Sequence, residues 1–327
     1  MRTYLDFEKP VAELEGKIDS LRDLDDERSA AEVEPEIQRL EEKSQKLLQE
    51  TYENLTRWQK TQVARHPNRP HFIDYAETMA EGFTELAGDR AFGDDQAILG
   101  GLAHIGGHRC VIMGHEKGRD TESRLTHNFG MARPEGYRKA IRLVEMAERF
   151  GLPVITLVDT AGAYPGRGAE ERGQAEAIAS CTAKFLEAEV PIISVITGEG
   201  GSGGAVALAA ANKVLMLEHS IYSVISPEGC AAILWKDAMA KGDNKAPDAA
   251  DAMKISAQDL EALGVIDAII PEPIGGSHRA PEEAMGNVAS TIARFLDELT
   301  AMSAAELKAQ RRDKFLELGR QGLDAAA

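Results

Sequence analysis

Residues 198–205 form a glycine-rich stretch, GEGGSGGA, whose backbone and spacing can serve several chemistries. Gly198, Gly200 and Gly203 match the fingerprint of a dinucleotide-binding loop, and Glu218 follows where a contact to a ribose hydroxyl is expected. That fingerprint normally follows the first strand of its domain, whereas two strand–loop–helix steps precede it in this chain. The dinucleotide interpretation therefore fits the spacing better than the position.

Ser202 lies at the centre of a Gly-x-Ser-x-Gly pattern, which is the nucleophile elbow of many hydrolases. Such an enzyme also needs an acid followed along the chain by a histidine, and the candidates are Asp237 or Asp267 with His278. Nothing in the spacing ties these residues to Ser202, so the hydrolase interpretation stays open beside the first.

Gly203 and Gly204 support a third interpretation, in which their two backbone N–H groups hold a developing negative oxygen. Donors of this kind supply about 3 kcal/mol of transition-state stabilisation. The same glycines also suit a tight turn and close helix packing without any ligand. No lysine follows Gly203 at the position that a phosphate-binding P-loop requires. The oxyanion interpretation accounts for more of the glycines than the other two.

The elements that must position this stretch alternate between strands and helices. Residues 152–160 (LPVITLVDT) and 190–197 (VPIISVIT) are apolar, β-branched runs typical of buried strands, and each leads into a glycine-containing loop and a helix. Upstream, residues 97–116 predict two strands joined by a Gly-Gly turn, and residues 133–151 predict a helix. We also expect a helix over residues 74–89. The pattern predicts an α/β fold.

The N-terminal region has a different pattern, because apolar residues recur there at helical spacing between charged ones. It predicts a helical hairpin over residues 1–60, with an acidic connection at 23–35 and Pro35 in the first turn of the second helix. Residues 61–327 are expected to form the main domain, which ends in C-terminal helices.

The composition excludes several classes of function. With 37 Lys and Arg against 54 Asp and Glu, the net charge of −17 opposes nucleic-acid binding. No run of apolar residues is long enough to span a membrane, and the N-terminus lacks a signal-peptide core, so we expect a cytoplasmic protein. The three cysteines, Cys110, Cys181 and Cys230, lie far apart, and no metal site is expected in this chain.

Several long motifs resemble, in order and spacing, the carboxyltransferase alpha subunits of bacterial acetyl-CoA carboxylase. The resemblance extends over about residues 1–280, whereas the tail beyond 285 carries little of it. In the DTAGAYPG motif, Ala161 stands where this family usually has proline. The motifs are GHEKGRDT (114–121), NFGMARPEGYRKAIRL (128–143), DTAGAYPG (159–166), AEERGQAEAIA (169–179), GEGGSGGA (198–205), YSVISPEGCAAILWKD (222–237) and KISAQDLEALGVIDAIIPEPIGGSHR (254–279).

This resemblance implies a crotonase-like fold, an α/β superhelix of repeated ββα units. It implies transfer of the carboxyl group from carboxybiotin, on a biotin carboxyl carrier protein, to acetyl-CoA, which gives malonyl-CoA for fatty acid biosynthesis. The implied partners are a beta subunit of the same fold in an α2β2 heterotetramer and a biotin carboxylase, so that the whole complex binds ATP. No cofactor would be covalently bound to this chain, and zinc would be carried by the beta subunit.

The resemblance also assigns site residues. The amides of Gly203 and Gly204 would be catalytic and would hold the biotin carbonyl oxygen. Further contacts to biotin or substrate are expected from nearby small residues and one tyrosine: Gly162, Tyr164, Gly201, Ser202 and Ala205.

A basic loop at residues 117–124 stands out in this acidic chain. Lys117, Arg119 and Arg124 are candidates for contacts to CoA phosphates or to a partner, and a solvated turn is the alternative. No side chain stands out as a general base. Two other function classes remain open: a stand-alone crotonase-type acyl-CoA enzyme with its own pair of carboxylates, and a non-catalytic scaffold organised by the N-terminal hairpin.

Overall fold

The computed structural model describes residues 2–23 and 30–324 of the chain. Its centre is one sheet of eight strands in the order β1-β2-β3-β4-β5-β6-β8, with β7 paired to the end of β5. The pairs β1–β2 and β2–β3 are antiparallel, and all other pairs are parallel. The strands are β1 (Glu81–Glu85), β2 (Ile98–Ile105), β3 (His108–His115), β4 (Val154–Thr160), β5 (Ile192–Gly201), β6 (Lys213–Leu217), β7 (Ile221–Ser223) and β8 (Ala268–Ile270).

Helices cover both faces of this sheet and form the two ends of the chain. The first eight are α1 (Lys9–Asp23), α2 (Ala30–Glu53), α3 (Arg57–Ala64), α4 (Phe72–Met79), α5 (Thr121–Thr126), α6 (Pro134–Phe150), α7 (Arg167–Glu171) and α8 (Gln174–Glu187). The others are α9 (Ser202–Ala209), α10 (Pro227–Leu234), α11 (Lys236–Ala240), α12 (Ala246–Met253), α13 (Ala257–Ala262), α14 (Pro281–Leu299) and α15 (Ala304–Asp324).

The buried strands divide their side chains between two apolar layers. In β4, Val154 and Val158 face the layer under α6 and α8, whereas Ile155 and Leu157 face the layer under α4 and α14. Side chains alternate along a strand, so a continuous apolar run is what a strand covered on both faces requires. The expectation of buried strands at 152–160 and 190–197 is confirmed, as is the α/β class.

Two of the expected elements differ in the structure. The helix predicted over residues 74–89 ends at Met79, and Glu81–Glu85 pair with β2 as an edge strand instead. Gly82 has a left-handed φ of 65°, which interrupts a helix, and the pairing with β2 is a long-range contact that local spacing does not show. Pro35 lies inside α2 rather than in its first turn, because α2 begins at Ala30.

The N-terminal segment is tied to the main domain by partly buried ion pairs. Arg279 contacts Glu8 at 3.2 Å and Glu15 at 2.9 Å. Helix α3 spans the boundary that we placed at residue 60, and the division into two domains stays a prediction. Of the acidic connection expected at residues 23–35, residues 24–29 lie outside the described residues and residues 30–35 belong to α2. Among residues 2–23 and 30–324, no helix combines the length and the apolar composition needed to cross a membrane.

Candidate functional site

The glycine-rich stretch is a direct strand-to-helix turn rather than the loop that we expected. Strand β5 runs to Gly201, and helix α9 begins at the next residue, Ser202, whose φ is +54°. The first-turn N–H groups of a helix have no carbonyl partner within the helix, and the helix dipole places partial positive charge there. The amides of Gly203 and Gly204 therefore lie where an anionic oxygen is stabilised.

Close packing explains most of the glycines in this stretch. A Cβ on Gly198 would lie 2.5 Å from a carboxylate oxygen of Asp159, and one on Gly200 would lie 2.8 Å from the ring of Tyr222. At Gly204 it would lie 2.8 Å from the backbone nitrogen of Ala163. Gly201 is equally crowded. Because Gly198 and Gly200 belong to strand β5, they form no loop around a pyrophosphate, and the dinucleotide interpretation is wrong.

Gly203 differs from these positions, since a Cβ there would meet nothing closer than Ile178 Cγ2 at 3.5 Å. Gly203 lines a cavity of about 660 Å³, which we call the glycine cavity. The residues that line it are Arg65, Ala161, Gly162, Ala163, Ile178, Glu199, Ser202, Gly203, Val224, Ile225, Ser226 and Glu228.

Arg65, which caps the C-terminus of α3, holds the two carboxylates of the glycine cavity. Its guanidinium donates to Glu199 Oε1 from two nitrogens, at 3.0 and 2.5 Å, and to Glu228 Oε1 at 2.6 Å. Burial opposes the charge of Arg65, yet the carboxylates raise its pKa above the usual range. Burial would raise the pKa of Glu228, and the bond from Arg65 lowers it instead. Both cavity carboxylates are thus bound as ion pairs.

A second cavity of about 270 Å³ adjoins the first, and Arg65 and Ala161 line both. We call it the basic cavity. Its other lining residues are Ala64, His66, Pro67, His71, Lys117, Arg124, Phe129 and Asp159.

Asp159, at the end of β4, connects the basic cavity to the glycine turn. Its Oδ1 lies 2.6 Å from Lys117 Nζ and accepts a 2.8 Å hydrogen bond from the backbone N–H of Glu199. Its Oδ2 lies 3.5 Å from His71 Nδ1. Burial alone would raise the pKa of Asp159, but the charge of Lys117, with a smaller contribution from His71, holds it well below its usual range. Asp159 is therefore an anchoring carboxylate and not a proton donor.

The structure brings together only part of the residue set expected to contact biotin or substrate. Gly162 and Ser202 line the glycine cavity with Gly203. Gly204 and Ala205 are buried directly behind it, and Gly201 is the last residue of the strand below.

Tyr164 lies outside this group, because its ring packs on Gly166 and beneath the guanidinium of Arg133, 5.0 Å from the ring centroid. Its backbone N–H donates to Ala132 at 2.9 Å, and its carbonyl accepts from Gln174. These bonds hold the loop that contains Ala161 without the proline that the family usually has.

The three basic candidates separate in the structure. Lys117 and Arg124 line the basic cavity. Arg119 lies outside its lining and pairs instead with Asp74, with Glu77 at 3.9 Å. Their assignment to CoA phosphates or to a partner stays a prediction.

The acid and histidine that a Ser202 hydrolase needs are elsewhere. Asp267 accepts from Val214 N, at the opposite end of the parallel strands, and from Lys314. His278 stacks on His66 at a centroid distance of 3.7 Å. None of the described residues lining the glycine cavity is a histidine, so the hydrolase interpretation lacks its base.

Sequence reasoning missed Arg65, His71 and Asp159 as site residues. The position of Asp159 after a buried strand was an available signal, since polar residues at the carboxyl ends of parallel strands converge at one edge. No local signal marks Arg65, because its partners are distant in sequence. Within the described residues, no cluster of three or more His, Cys, Asp or Glu side chains is arranged to hold a metal ion.

Solved structures with a similar fold are carboxyltransferases and a related decarboxylase. The core of transcarboxylase 12S aligns with a TM-score of 0.58 at 18% identity, over 71% of this chain and 42% of the other. The beta subunit of geranyl-CoA carboxylase from P. aeruginosa aligns with a TM-score of 0.56 at 17% identity, over 77% of this chain and 45% of that subunit. This chain thus spans less than half of either one. The expected crotonase-like fold is confirmed.

Sequence relatives cover nearly the whole chain. Residues 4–319 match the family described as acetyl co-enzyme A carboxylase carboxyltransferase-like. The acetyl-coenzyme A carboxylase carboxyl transferase subunit alpha of Agrobacterium fabrum is 59% identical, over 98% of this chain and 99% of its own length. The subunit of the same name from Zymomonas mobilis is 60% identical, over 98% of this chain and 100% of its own length. This chain therefore belongs to the family of acetyl-CoA carboxylase carboxyltransferase alpha subunits.

Proposed function

We propose that this chain is the alpha subunit of a carboxyltransferase that moves a carboxyl group from carboxybiotin to acetyl-CoA and produces malonyl-CoA, the first committed step of fatty acid biosynthesis. The observation that carries this proposal is the start of α9, where Gly203 lines the glycine cavity and Gly204 lies buried directly behind it. Backbone donors at a helix start suit a reaction that develops negative charge on oxygen.

The proposed role of these amides follows from the electron flow. When the N–CO2 bond of carboxybiotin breaks, its electron pair moves into the ureido group and negative charge appears on the ureido oxygen. The N–H groups of Gly203 and Gly204 would donate to that oxygen. CO2 is released beside the thioester, whose carbanion attacks it and forms the new carbon–carbon bond.

The glycine cavity offers no free general base for the thioester proton. Its carboxylates, Glu199 and Glu228, are bound by Arg65. No histidine or lysine is among the described residues lining the cavity to activate Ser202 or Ser226. The ureido anion is basic enough to take the proton itself. The chain would then contribute charge stabilisation and the positioning of two substrates.

The partners belong to the same proposal. A beta subunit of similar fold would hold the thioester enolate and carry the zinc, and the two chains would form an α2β2 complex in the cytoplasm. A carrier protein would deliver the carboxybiotin after an ATP-dependent biotin carboxylase has charged it. The exposed apolar residues Val224, Ile233 and Leu234 near the glycine cavity provide a surface that suits a protein partner.

A stand-alone crotonase-type enzyme is the second candidate, because Glu199 and Glu228 line one cavity as a carboxylate pair. A carboxyl group that donates a proton near neutral pH needs a raised pKa. The pKa of Glu228 is lowered, and Arg65 bridges both side chains. The pair therefore favours an anchoring role over acid–base catalysis.

The test is the reverse reaction, decarboxylation of malonyl-CoA in the presence of a biotin derivative. We expect turnover when the chain is mixed with a zinc-ribbon beta subunit and none with either chain alone. Turnover by this chain alone would replace the proposal with a self-contained crotonase enzyme. No turnover in the mixture, with a complex verified by sedimentation, would favour the scaffold.

A further inference from the structure

Among the described residues, one of the cations that line the basic cavity, Arg124, has no directly bonded carboxylate. Lys117 is paired with Asp159 at 2.6 Å, and Arg65 is paired with Glu199 and Glu228. Arg124 forms no ion pair within 4 Å among the described residues. Its charge acts on the exposed carboxylate of Asp120 only at longer range, and its Nε donates to the carbonyl of Gly118 at 3.3 Å. In a chain of net charge −17, a guanidinium without a bonded carboxylate beside a cavity is an attractive contact for an anion.

His71 supplies a second, independent indication. The residue is only 7% exposed, lines the same cavity and has no hydrogen-bond partner for Nδ1 among the described residues. Its distance of 3.5 Å to Asp159 Oδ2 is too long for a good hydrogen bond. Buried polar atoms are rarely left without a partner, so a ligand oxygen at this wall would complete the site.

Phe129, which lines the cavity, belongs to a short segment of left-handed backbone. Asn128, Phe129 and Gly130 are consecutive left-handed residues, with φ of 47°, 56° and 73°. A Cβ on Gly130 would lie 2.9 Å from the carbonyl of Asp159 and 3.0 Å from Lys117 Cγ. Phe129 is 47% exposed and lines the cavity. Strain of this kind persists where the surroundings enforce it, and it concentrates at ligand sites.

We propose that the basic cavity binds one terminal oxyanion, a phosphate or a carboxylate, of a ligand whose remainder extends past Phe129. Arg124 would pair with the oxyanion, and His71 Nδ1 would bond one of its oxygens. A volume of about 270 Å³ admits a single group rather than a nucleotide. One guanidinium without a bonded carboxylate suits one anionic group.

The two sources of such a group are the substrates of the proposed function, on which this assignment rests. The thioester substrate carries phosphates on its CoA portion, and the carboxyl donor carries a carboxylate. Both can approach from the surface that the basic cavity shares with the glycine cavity, where Arg65 and Ala161 line both.

The first experiment measures binding to the full chain without any partner, so that it does not depend on turnover. Inorganic phosphate and acetate are titrated separately while the imidazole NMR signal of His71, assigned with His71→Asn, is followed. We expect a saturable shift for at least one of them. Arg124→Gln should weaken the affinity for the anion by about tenfold, and Arg124→Lys should retain most of that affinity. Arg39→Gln, which removes the same charge at an exposed position of α2, should change nothing.

The second experiment identifies the source in the assembled carboxyltransferase. We expect Arg124→Gln to raise the KM for one substrate by about tenfold, with little change in kcat. A raised KM for the CoA thioester assigns the site to a CoA phosphate, and a raised KM for carboxybiotin assigns it to the donor carboxylate. Unchanged KM values for both, or binding of both anions that is indifferent to Arg124→Gln, overturn the assignment. Absence of turnover with wild-type chains would refute the proposed function instead.

Discussion

Strands β4 and β5 lie side by side and end at the same edge of the sheet, but their connections to the following helices differ. Between β4 and α8 the chain makes a connection at residues 161–173 that contains the short helix α7. Between β5 and α9 there is no connecting residue at all. The turn between β5 and α9 consequently brings the N–H groups of the first turn of α9 directly to the sheet edge.

The two turns are also held by different forces. The β4 connection is held by polar contacts, since Thr160 Oγ1 donates to the Gly162 carbonyl at 2.9 Å and accepts from its N–H at 3.0 Å. The β5 turn is held by steric fit, because Gly201 and Gly204 leave no room for a side chain. Substitutions should therefore damage the two turns by different mechanisms.

The largest effect is expected from Gly204→Val in the β5 turn. Its Cβ would lie 2.8 Å from backbone atoms of Gly162 and Ala163, so the start of α9 must move away from the cavity. Loss of aligned oxyanion donors costs about 10²- to 10³-fold in kcat. We expect a loss of at least 100-fold in malonyl-CoA decarboxylation by the assembled enzyme, with a folded chain by circular dichroism.

Two matched glycines sharpen this result. Gly203→Ala should lower the decarboxylation rate far less, since its Cβ meets only Ile178 at 3.5 Å. Gly286→Ala in α14, where nothing lies within 4 Å of the added Cβ, should leave the rate unchanged. Retained activity in Gly204→Val would show that these amides are not the oxyanion donors.

A smaller effect is expected from Asp159→Asn, which changes the link between the two turns. Asparagine can still accept from Glu199 N–H, but it removes the charge that pairs with Lys117. We expect the free energy of unfolding at pH 7 to fall by about 2–3 kcal/mol. Asp297→Asn, at an exposed ion pair with His108, should cost less than about 1 kcal/mol.

The pH dependence of the Asp159→Asn difference checks its cause. Because the pKa of Asp159 is lowered in the folded chain, its stabilisation is complete above the ordinary carboxyl pKa and is lost as the pH falls below it. The difference between wild type and Asp159→Asn in urea unfolding should shrink by about 1.4 kcal/mol per pH unit below about pH 4. A difference that does not vary with pH would mean that shape, not charge, is responsible.

The smallest effect is expected from Thr160→Val in the β4 connection. Valine has the same shape as threonine but removes both hydrogen bonds to Gly162. We expect a loss of about 1–2 kcal/mol in thermal or urea unfolding, with kcat lowered only a few-fold. Thr182→Val, which removes a hydroxyl bond within α8, is the control and should cost less. A loss of activity as large as that of Gly204→Val would make the two turns equivalent.

Much of the fold was predictable because its strongest signals are local. The apolar runs at 152–160 and 190–197 became β4 and β5, and the Gly-Gly turn at 106–107 joined β2 to β3 as expected. Gly151 ended α6 in a left-handed conformation, with φ of 62°. The prediction of a helix after Met79 was wrong because a β-strand at a sheet edge depends on its neighbour more than on its own residues.

The candidate site was predictable only in part. The glycine pair was found from its pattern, but the same pattern also matched two unrelated motifs, and spacing could not choose between them. The roles of Gly198 and Gly200 became clear only when Asp159 and Tyr222 were seen against them.

The sequence by itself determined the central strands and their helices, the acidic character and the family, because hydrophobic period, composition and long motifs are properties of the chain. The tertiary structure alone decided that Arg65 meets Glu199, that Asp159 joins the ends of two strands, and that Arg124 lies at the basic cavity. These contacts join residues far apart in sequence, and their geometry depends on how every intervening element packs.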